Sequence, residues 1–129
     1  MAFTTMVREF TRACHDELPA TPTELSSDAV AFIREMVNDE MEELAEATTP
    51  VDQADALVDA IYYICDCAVR HGMNLDPLFA IVHQANMGKV VDGKVLRRDD
   101  GKILKPEGWQ PPEPELEKEM ARQTSDGGW

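Results

Sequence analysis

The sequence predicts an all-α fold, an antiparallel bundle of four to five helices with a short hairpin-like loop after the fourth helix. Apolar residues recur at helical spacing in four successive segments, and the connections between these segments are short. The third segment is apolar on nearly every side between Ala54 and Val69, so it is expected to be central. Because one chain offers few helices to surround it, we expect a homo-oligomer, either a dimer or a tetramer.

The first two helices are predicted over residues 4–17 and from about residue 28 to Ala47. In the first, Met6 and Phe10 lie on one side, one helical turn apart. Ser26 or Ser27 can cap the second helix, because a serine side chain accepts a hydrogen bond from a free N–H group at a helix start.

The third helix is predicted to begin near Pro50 and to end at Gly72. Proline suits the first turn of a helix, and glycine readily adopts the left-handed conformation that follows a helix end. For the fourth helix, Asp76 is expected as the cap, with Pro77 in the first turn and the end near Met87.

The chain changes character after the fourth helix. Asp-Gly pairs at 92–93 and 100–101, between short β-prone runs, predict hairpin-like turns in a segment that carries many of the chain's cations. Residues 114–123 are expected to form a last short helix, and residues 125–129 a frayed tail. We therefore divide the chain into a functional domain over 1–112 and a C-terminal helix and tail over 113–129.

Composition excludes several classes of function. A net charge of -13 argues against binding nucleic acid through its phosphates. The three cysteines are odd in number and form no CxxC pair, which predicts free thiols in a reducing compartment. The N-terminal residues do not resemble a signal peptide, and aspartates interrupt the best candidate for a membrane span. A cytoplasmic protein without membrane or nucleic-acid partners is expected.

Three aspartates interrupt the apolar third segment. At about 100° per residue, Asp55, Asp59 and Asp66 fall within an arc of about 40° and form one line along the helix. One interpretation is that the line is the narrow solvent-exposed stripe of an edge helix. The other is that it faces a cation site, with Asp66 either at its margin or exposed at the end of the bundle.

The second helix favours the cation site. Glu40 occupies a position in its apolar stripe where a hydrophobic residue is expected, and Glu43 lies one turn further on. Carboxylates gathered at low dielectric must be protonated or neutralised by a cation. No lysine or arginine lies between Arg34 and Ala68. Oxygen ligands of this kind favour Mg²⁺ or Mn²⁺, which commonly serve phosphate chemistry.

Four segments together resemble a known family. Glu40-Met41-Glu42-Glu43, DALVDAIYY (55–63), VHQANMGK (82–89) and DGKILKPEGWQPP (100–112) are similar to the MazG-like all-α NTP pyrophosphohydrolases, which include phosphoribosyl-ATP pyrophosphohydrolase. The resemblance covers roughly residues 5–112. The family pattern is ExxE followed by ExxD on the next helix. Here Asp59 matches the final Asp, whereas the preceding Glu is replaced by Ala56, for which Asp55 is the candidate substitute.

The resemblance implies a dimeric or tetrameric enzyme that cleaves a nucleotide between the α- and β-phosphates, with two or three Mg²⁺ or Mn²⁺ ions per site. By the same resemblance, the metal ligands would be Glu40, Glu43, Asp59 and Asp55. The catalytic residues would be Glu40, Glu43 and Asp39. The residues that contact substrate would be Asn86, Lys89, His83, Tyr62, Lys102, Lys105 and Arg98, with Trp109 a further candidate beside the base.

The choice of substrate stays open at this point. A nucleoside triphosphatase that controls nucleotide pools could prefer dUTP, dCTP or dGTP/GTP, and the sequence does not select one. Phosphoribosyl-ATP pyrophosphohydrolase of histidine synthesis is a second interpretation. A non-catalytic, metal-binding oligomerisation module is a third, because Ala56 departs from the family pattern. For each lysine or arginine of the loop taken alone, exposure to solvent without a functional role is the simpler interpretation.

Overall fold

The structure is a computed structural model that describes residues 2–129. Within them the chain forms five helices and one two-stranded antiparallel ribbon. The elements in chain order are α1 (Phe3–Cys14), α2 (Ser27–Glu46), α3 (Pro50–Arg70), α4 (Leu75–Met87), β1 (Val90–Val91), β2 (Lys94–Val95) and α5 (Glu113–Asp126). The mostly helical fold and the hairpin after the fourth helix are confirmed.

α3 packs against both α1 and α2, as its apolar composition predicts. The core is made of small side chains, among them Val7, Ala56, Ala60 and Val69. α4 contacts mainly α1 and α5, and none of its residues is buried. The single chain therefore builds a three-helix unit around α3 with α4 at one edge, rather than a closed bundle.

The starts of α2 and α3 confirm their predicted signals. The Ser26 side chain accepts a hydrogen bond from the Ala29 N–H at 3.1 Å, and Thr49 accepts one from the Asp52 N–H at 3.2 Å, directly before Pro50. These side chains satisfy N–H groups that have no partner inside the helix.

The predicted cap of α4 is wrong. The cap is Asn74, whose side chain accepts from the Asp76 N–H at 3.0 Å. The Asp76 carboxylate turns instead to the start of α1, where it accepts from the Thr4 N–H at 2.9 Å, the Thr5 N–H at 3.1 Å and the Thr5 hydroxyl at 2.6 Å. Asp76 thus caps α1 rather than its own helix, although it lies 72 residues from Thr4 in the sequence.

Both Asp-Gly turns form. Asp92 and Gly93 have positive φ values of 52° and 78°, which lets two residues connect β1 to β2 in register. Gly101 has a φ of 90° in the second turn, which an isolated bridge between Arg97 and Ile103 closes.

The expectation of a frayed tail is wrong. α5 continues to Asp126, and the fully buried Gln123 donates to the Asn74 carbonyl at 2.9 Å and accepts from the Asn74 N–H at 3.0 Å. The Asn74 side chain donates to the Gly128 carbonyl at 2.8 Å. These bonds hold residues 123–128 against the start of α4. Separately, none of the helices in the described part of the chain is long and apolar enough to cross a membrane.

Candidate active site

Carboxylates from α2 and α3 meet on the facing sides of these two helices. Glu40 is the one residue of α2 that is buried, with 8% of its surface exposed. Asp59 on α3 is half-buried, whereas Glu43 and Asp55 are exposed at the rim. We call these four residues the acid cluster. The periodicity of the sequence predicted that Glu40 would lie on the core side of its helix, and the structure places it there.

The charges of the acid cluster act on Glu40. Its pKa is raised from 4.5 to about 7 by desolvation, by a hydrogen bond with the Glu43 carboxyl and by the negative charges of Glu43, Asp59 and Asp55. None of these causes is a cation. In addition, Glu40 Oε2 is buried without a hydrogen-bond partner among the described residues. The described residues therefore supply no positive charge to Glu40. Burying a carboxylate oxygen without a hydrogen-bond donor costs free energy.

The residues of the acid cluster fit a divalent cation in their chemistry. All four offer carboxylate oxygens, the ligands that Mg²⁺ and Mn²⁺ prefer, and Glu40 Oε2 is free to bind one. Within residues 2–129, no group of three or more His, Cys, Asp or Glu side chains is already arranged to hold an ion. Binding would therefore require the side chains of the acid cluster to adjust their positions around the ion.

Two acids named from the sequence lie apart from the acid cluster. Asp39 is exposed and lines a shallow depression on α2 with Arg34 and Asn38, and it is not among the charges that act on Glu40. Asp66 accepts a hydrogen bond from the Thr11 hydroxyl at 2.7 Å and lies 3.9 Å from Arg70. Asp66 thus ties α3 to α1, and the line of aspartates divides into a cluster at one end and a packing contact at the other.

The predicted phosphate-binding residues form a separate group at the end of α4. Lys89 Nζ donates to Asn86 Oδ1 at 3.3 Å and lies 5.3 Å from the centre of the Trp109 ring. Lys105 Nζ lies 4.8 Å from the same ring, and the Trp109 indole donates to the Ala85 carbonyl at 2.7 Å. Trp109 therefore holds two lysines beside Asn86. We call Asn86, Lys89, Lys105 and Trp109 the lysine cluster.

The other predicted substrate residues are not part of either cluster. His83 is exposed on α4, and Lys102 is exposed on the loop. Arg98 is paired with Asp100, and this contact raises the arginine pKa above its usual value. Because α4 packs mainly on α1 and α5, the structure of one chain does not bring the lysine cluster onto the acid cluster.

Tyr62 and its neighbour Tyr63 have different surroundings. Tyr62, predicted beside the base, packs edge-on against Phe10 of α1 with ring centres 6.1 Å apart. Tyr63 instead lines a groove of about 420 Å³ between α2 and α3, together with Phe32 and Asp66. The sequence did contain a signal for Tyr63. It follows Asp59 by four residues, and this spacing places both side chains on the same side of α3.

The comparison with known families identifies the family to which the chain belongs. The sequence profile of PRA-PH, phosphoribosyl-ATP pyrophosphohydrolase, matches residues 7–86. The chain belongs to this family. The family is part of the MazG-like NTP pyrophosphohydrolase superfamily, which confirms the resemblance drawn from the sequence. A search of curated proteins finds no significant match.

The residues matched to the phosphoribosyl-ATP pyrophosphohydrolase family include only part of the candidate site. The matched residues include the whole acid cluster and end at Asn86, so Lys89, Lys105 and Trp109 lie beyond them. The family consists of pyrophosphohydrolases, which commonly use divalent metals. Hydrolysis of a phosphoanhydride is thus supported by both the family and the carboxylates, whereas the lysine cluster is a feature that the family match does not describe.

Proposed function

We propose that this chain hydrolyses a nucleoside or deoxynucleoside triphosphate to the monophosphate and pyrophosphate, for control of nucleotide pools. The observation that carries the proposal is Glu40, a buried carboxylate that faces three other acids and has an oxygen without a partner. A protein core tolerates such a group poorly unless a cation binds there. A site of this kind suits a substrate that arrives with metal ions on its phosphates.

Glu40, Glu43, Asp59 and Asp55 would hold two or three Mg²⁺ or Mn²⁺ ions. When bound, the ions would offset the charge of the carboxylates and of the phosphates and would polarise the anhydride. The acid cluster would then determine where the substrate phosphates lie, because the acids would repel any phosphate that is not bridged to them by a metal ion. Glu43 is exposed beside the buried Glu40 and has access to solvent. It is therefore suited to accept the proton of the attacking water.

The lysine cluster would bind the far end of the triphosphate. Lys89 and Lys105 present ammonium groups that Trp109 holds in place, and Asn86 adds an amide donor. The loop that carries Lys102 and Arg98 would close over the substrate and exclude water. Because the lysine cluster and the acid cluster are separate within one chain, this step requires a movement of α4 or a second copy of the chain.

The groove beside Tyr63 is a suitable place for the base. Its residue Ile33 lies seven residues before Glu40 on α2, which is about 10 Å along the helix axis. This span suits the distance from a nucleotide's first phosphate to its base. Phe32 and Tyr63 offer aromatic surface, and Asp66 and Arg70 offer polar groups at the far end of the groove.

Phosphoribosyl-ATP is the second candidate substrate. The matched family carries its name, and its hydrolysis also releases pyrophosphate. The same acid cluster would act on it, so the two candidates differ only in what lies beyond the first phosphate.

We also propose that two copies of the chain associate through the apolar face of α1, α3 and α4. Phe3 is 63% exposed, Phe79 is 75% exposed, and Ile61 and Ile64 lie between them. A face of this kind is typical of a subunit interface. Ile64→Asp is expected to convert the oligomer to monomers, measured by light scattering. An unchanged mass in that variant would show that another face is used.

The test is release of pyrophosphate with Mg²⁺ or Mn²⁺ from dUTP, the four common dNTPs, the NTPs and phosphoribosyl-ATP. Glu40→Gln is the inactivating variant, and Glu42→Gln is its control, because it is the same substitution at an exposed position of α2. A metal-dependent product that disappears only in Glu40→Gln establishes the class and names the substrate. Activity in Glu40→Gln equal to the wild type would refute the proposed site. A folded protein that binds Mn²⁺ but cleaves none of these substrates would favour the non-catalytic interpretation.

A further inference from the structure

A pocket at the end of α1 stands apart from both clusters. It has a volume of about 510 Å³ and is lined by Arg8 and Arg12 of α1, by His15 directly after α1, by Val69 of α3 and by Trp129. We call it the Arg8 pocket. Val69 follows Asp59 by ten residues on α3, so the Arg8 pocket lies about 15 Å along that helix from the acid cluster. Lys89 and Lys105 are not among its lining residues either.

The cations of the Arg8 pocket have no ion-pair partner in the described part of the chain. Among residues 2–129, no carboxylate lies within 4.0 Å of Arg8, Arg12 or His15. Among the described arginines outside the pocket, Arg70, Arg98 and Arg122 are paired with acids, whereas Arg34 and Arg97 are not. Burial and the charge of Arg12 also lower the pKa of Arg8, which shows that the two guanidinium groups repel each other.

The walls of the Arg8 pocket are held in place from three sides. The guanidinium of Arg8 lies 4.5 Å from the centre of the Trp129 ring, which limits its orientation. Trp129 follows Gly128, whose carbonyl accepts from the buried Asn74 side chain. Thr11, next to Arg12, donates to Asp66 of α3. The cations are therefore presented by a fixed scaffold rather than by a free surface helix.

The geometry of the pocket fits a small oxyanion. Arg8 and Arg12 are one helical turn apart, so their guanidinium groups can both donate to a single tetrahedral group. His15, in the extended segment after the helix, lines the same pocket. Asp16 and Glu17 also line the pocket and, with the net charge of -13, oppose a long polyanion such as nucleic acid. Phosphate groups form such bridged contacts with arginine readily.

We propose that Arg8, Arg12 and His15 form a second, metal-independent site for the phosphate or pyrophosphate group of a small molecule. An anion there would bridge the two guanidinium groups and remove their mutual repulsion. The site differs in kind from the acid cluster, because cations of the protein bind the phosphate directly. It would therefore retain a phosphate compound when divalent metal is absent.

The test uses inorganic pyrophosphate as the probe and the full chain freed of metal on a chelating resin, so that no soluble chelator competes as an anion. Binding is followed by calorimetry against NaCl of equal ionic strength. Without metal the acid cluster repels pyrophosphate, which separates this test from the proposed catalytic function. The double variant Arg8→Gln/Arg12→Gln is compared with Lys94→Gln/Lys118→Gln, which removes the same formal charge from two exposed lysines outside the Arg8 pocket and outside the lysine cluster.

The expected result is saturable binding that weakens about tenfold or more in the Arg8→Gln/Arg12→Gln variant and is kept in the lysine variant. Arg12→Gln alone should show a smaller loss, and because Arg12 is exposed this variant does not disturb packing. Absence of saturable binding by the wild type would overturn the proposal. An equal loss in both double variants, or a heat of binding that NaCl reproduces, would also overturn it.

Discussion

Asp76 and Glu40 are acidic side chains held between helices, and their surroundings are opposite. Asp76 accepts three hydrogen bonds from Thr4 and Thr5 at the start of α1. Burial would raise the pKa of Asp76, but these hydrogen bonds outweigh it and hold the pKa below its usual value. Glu40 has other acids as neighbours, and its pKa is raised to about 7.

The difference separates a structural acid from an acid that awaits a ligand. The donors around Asp76 come from the chain itself, so its charge is useful to the fold at neutral pH. The acid cluster lacks such donors, so the folded chain bears the cost of Glu40 until a cation binds. Gln123 belongs with Asp76 in this respect, because its buried amide has partners for both its donor and its acceptor.

The largest expected effect is on activity at the acid cluster. Glu40→Gln should lower pyrophosphate release by at least about 100-fold, since even residues that only orient metal ligands cost 10- to 100-fold when changed. The folded state should be kept, because glutamine has nearly the same shape. Steady-state kinetics of Glu40→Gln and of the Glu42→Gln control measure the effect. Equal activities in the two variants would mean that Glu40, like Asp76, has no ligand-binding role.

The next effect concerns the satisfied amide of Gln123. Gln123→Ala should lower the free energy of unfolding by about 2 kcal/mol, because it removes two hydrogen bonds and leaves the Asn74 N–H and carbonyl buried without partners. Urea denaturation measures the loss. Ser125→Ala, an exposed change on the same helix, should have little effect. A loss below a few tenths of a kcal/mol in Gln123→Ala would mean that α5 contributes little to the fold.

Asp76→Ala should have a smaller cost, about 1 kcal/mol, as for loss of a helix cap. The loss should be greatest in the first turn of α1, where Thr4 and Thr5 would lose their acceptor. Hydrogen exchange of these two amides and thermal unfolding both report it. Glu9→Ala, exposed on α1, is the control, and protection of Thr4 and Thr5 equal to the wild type would contradict the role of Asp76.

The pH dependence of stability should distinguish the two acids by sign. The raised pKa of Glu40 favours its protonated form in the fold, so its stabilising effect is present below pH 4.5 and is lost as pH rises toward about 7. The lowered pKa of Asp76 acts in reverse, with its effect present above pH 3.8 and lost on further acidification. In the metal-free protein, thermal midpoints should fall from pH 4.5 to 7, and Glu40→Gln should abolish this decline. A decline that persists in that variant would assign it to another group.

Much of the acid cluster was predictable because helical periodicity is a local property. The positions of Glu40 and Asp59 follow from their spacing within single helices, and the antiparallel connection then brings them together. Tyr62 and Tyr63 differ by only about 100° around α3. The packing of the neighbouring helices decides that Tyr62 faces α1 and that Tyr63 faces α2. Local sequence therefore could not decide which of the two tyrosines lies beside the base of the substrate.

The errors at Asp76 and in the tail share a cause in distant contacts. Asn74 and Asp76 are both residue types that cap helices well. In the structure Asn74 caps α4, because the Asp76 carboxylate accepts hydrogen bonds from α1. α5 has a polar sequence with no clear apolar stripe, and its end is held by the hydrogen bonds of Gln123 and Gly128 with Asn74. Neither relation leaves a periodic signal in the sequence.

The contact between Asp76 and the start of α1 has a consequence during synthesis. α1 is synthesised before α4, and Asp76, which accepts from the first N–H groups of α1, is made 72 positions after Thr4. At ~5–20 residues per second, the delay is roughly 4–14 s. Throughout that time Phe3, Met6 and Phe10 belong to a helix without its cap, so the nascent α1 offers exposed apolar side chains that a chaperone could bind.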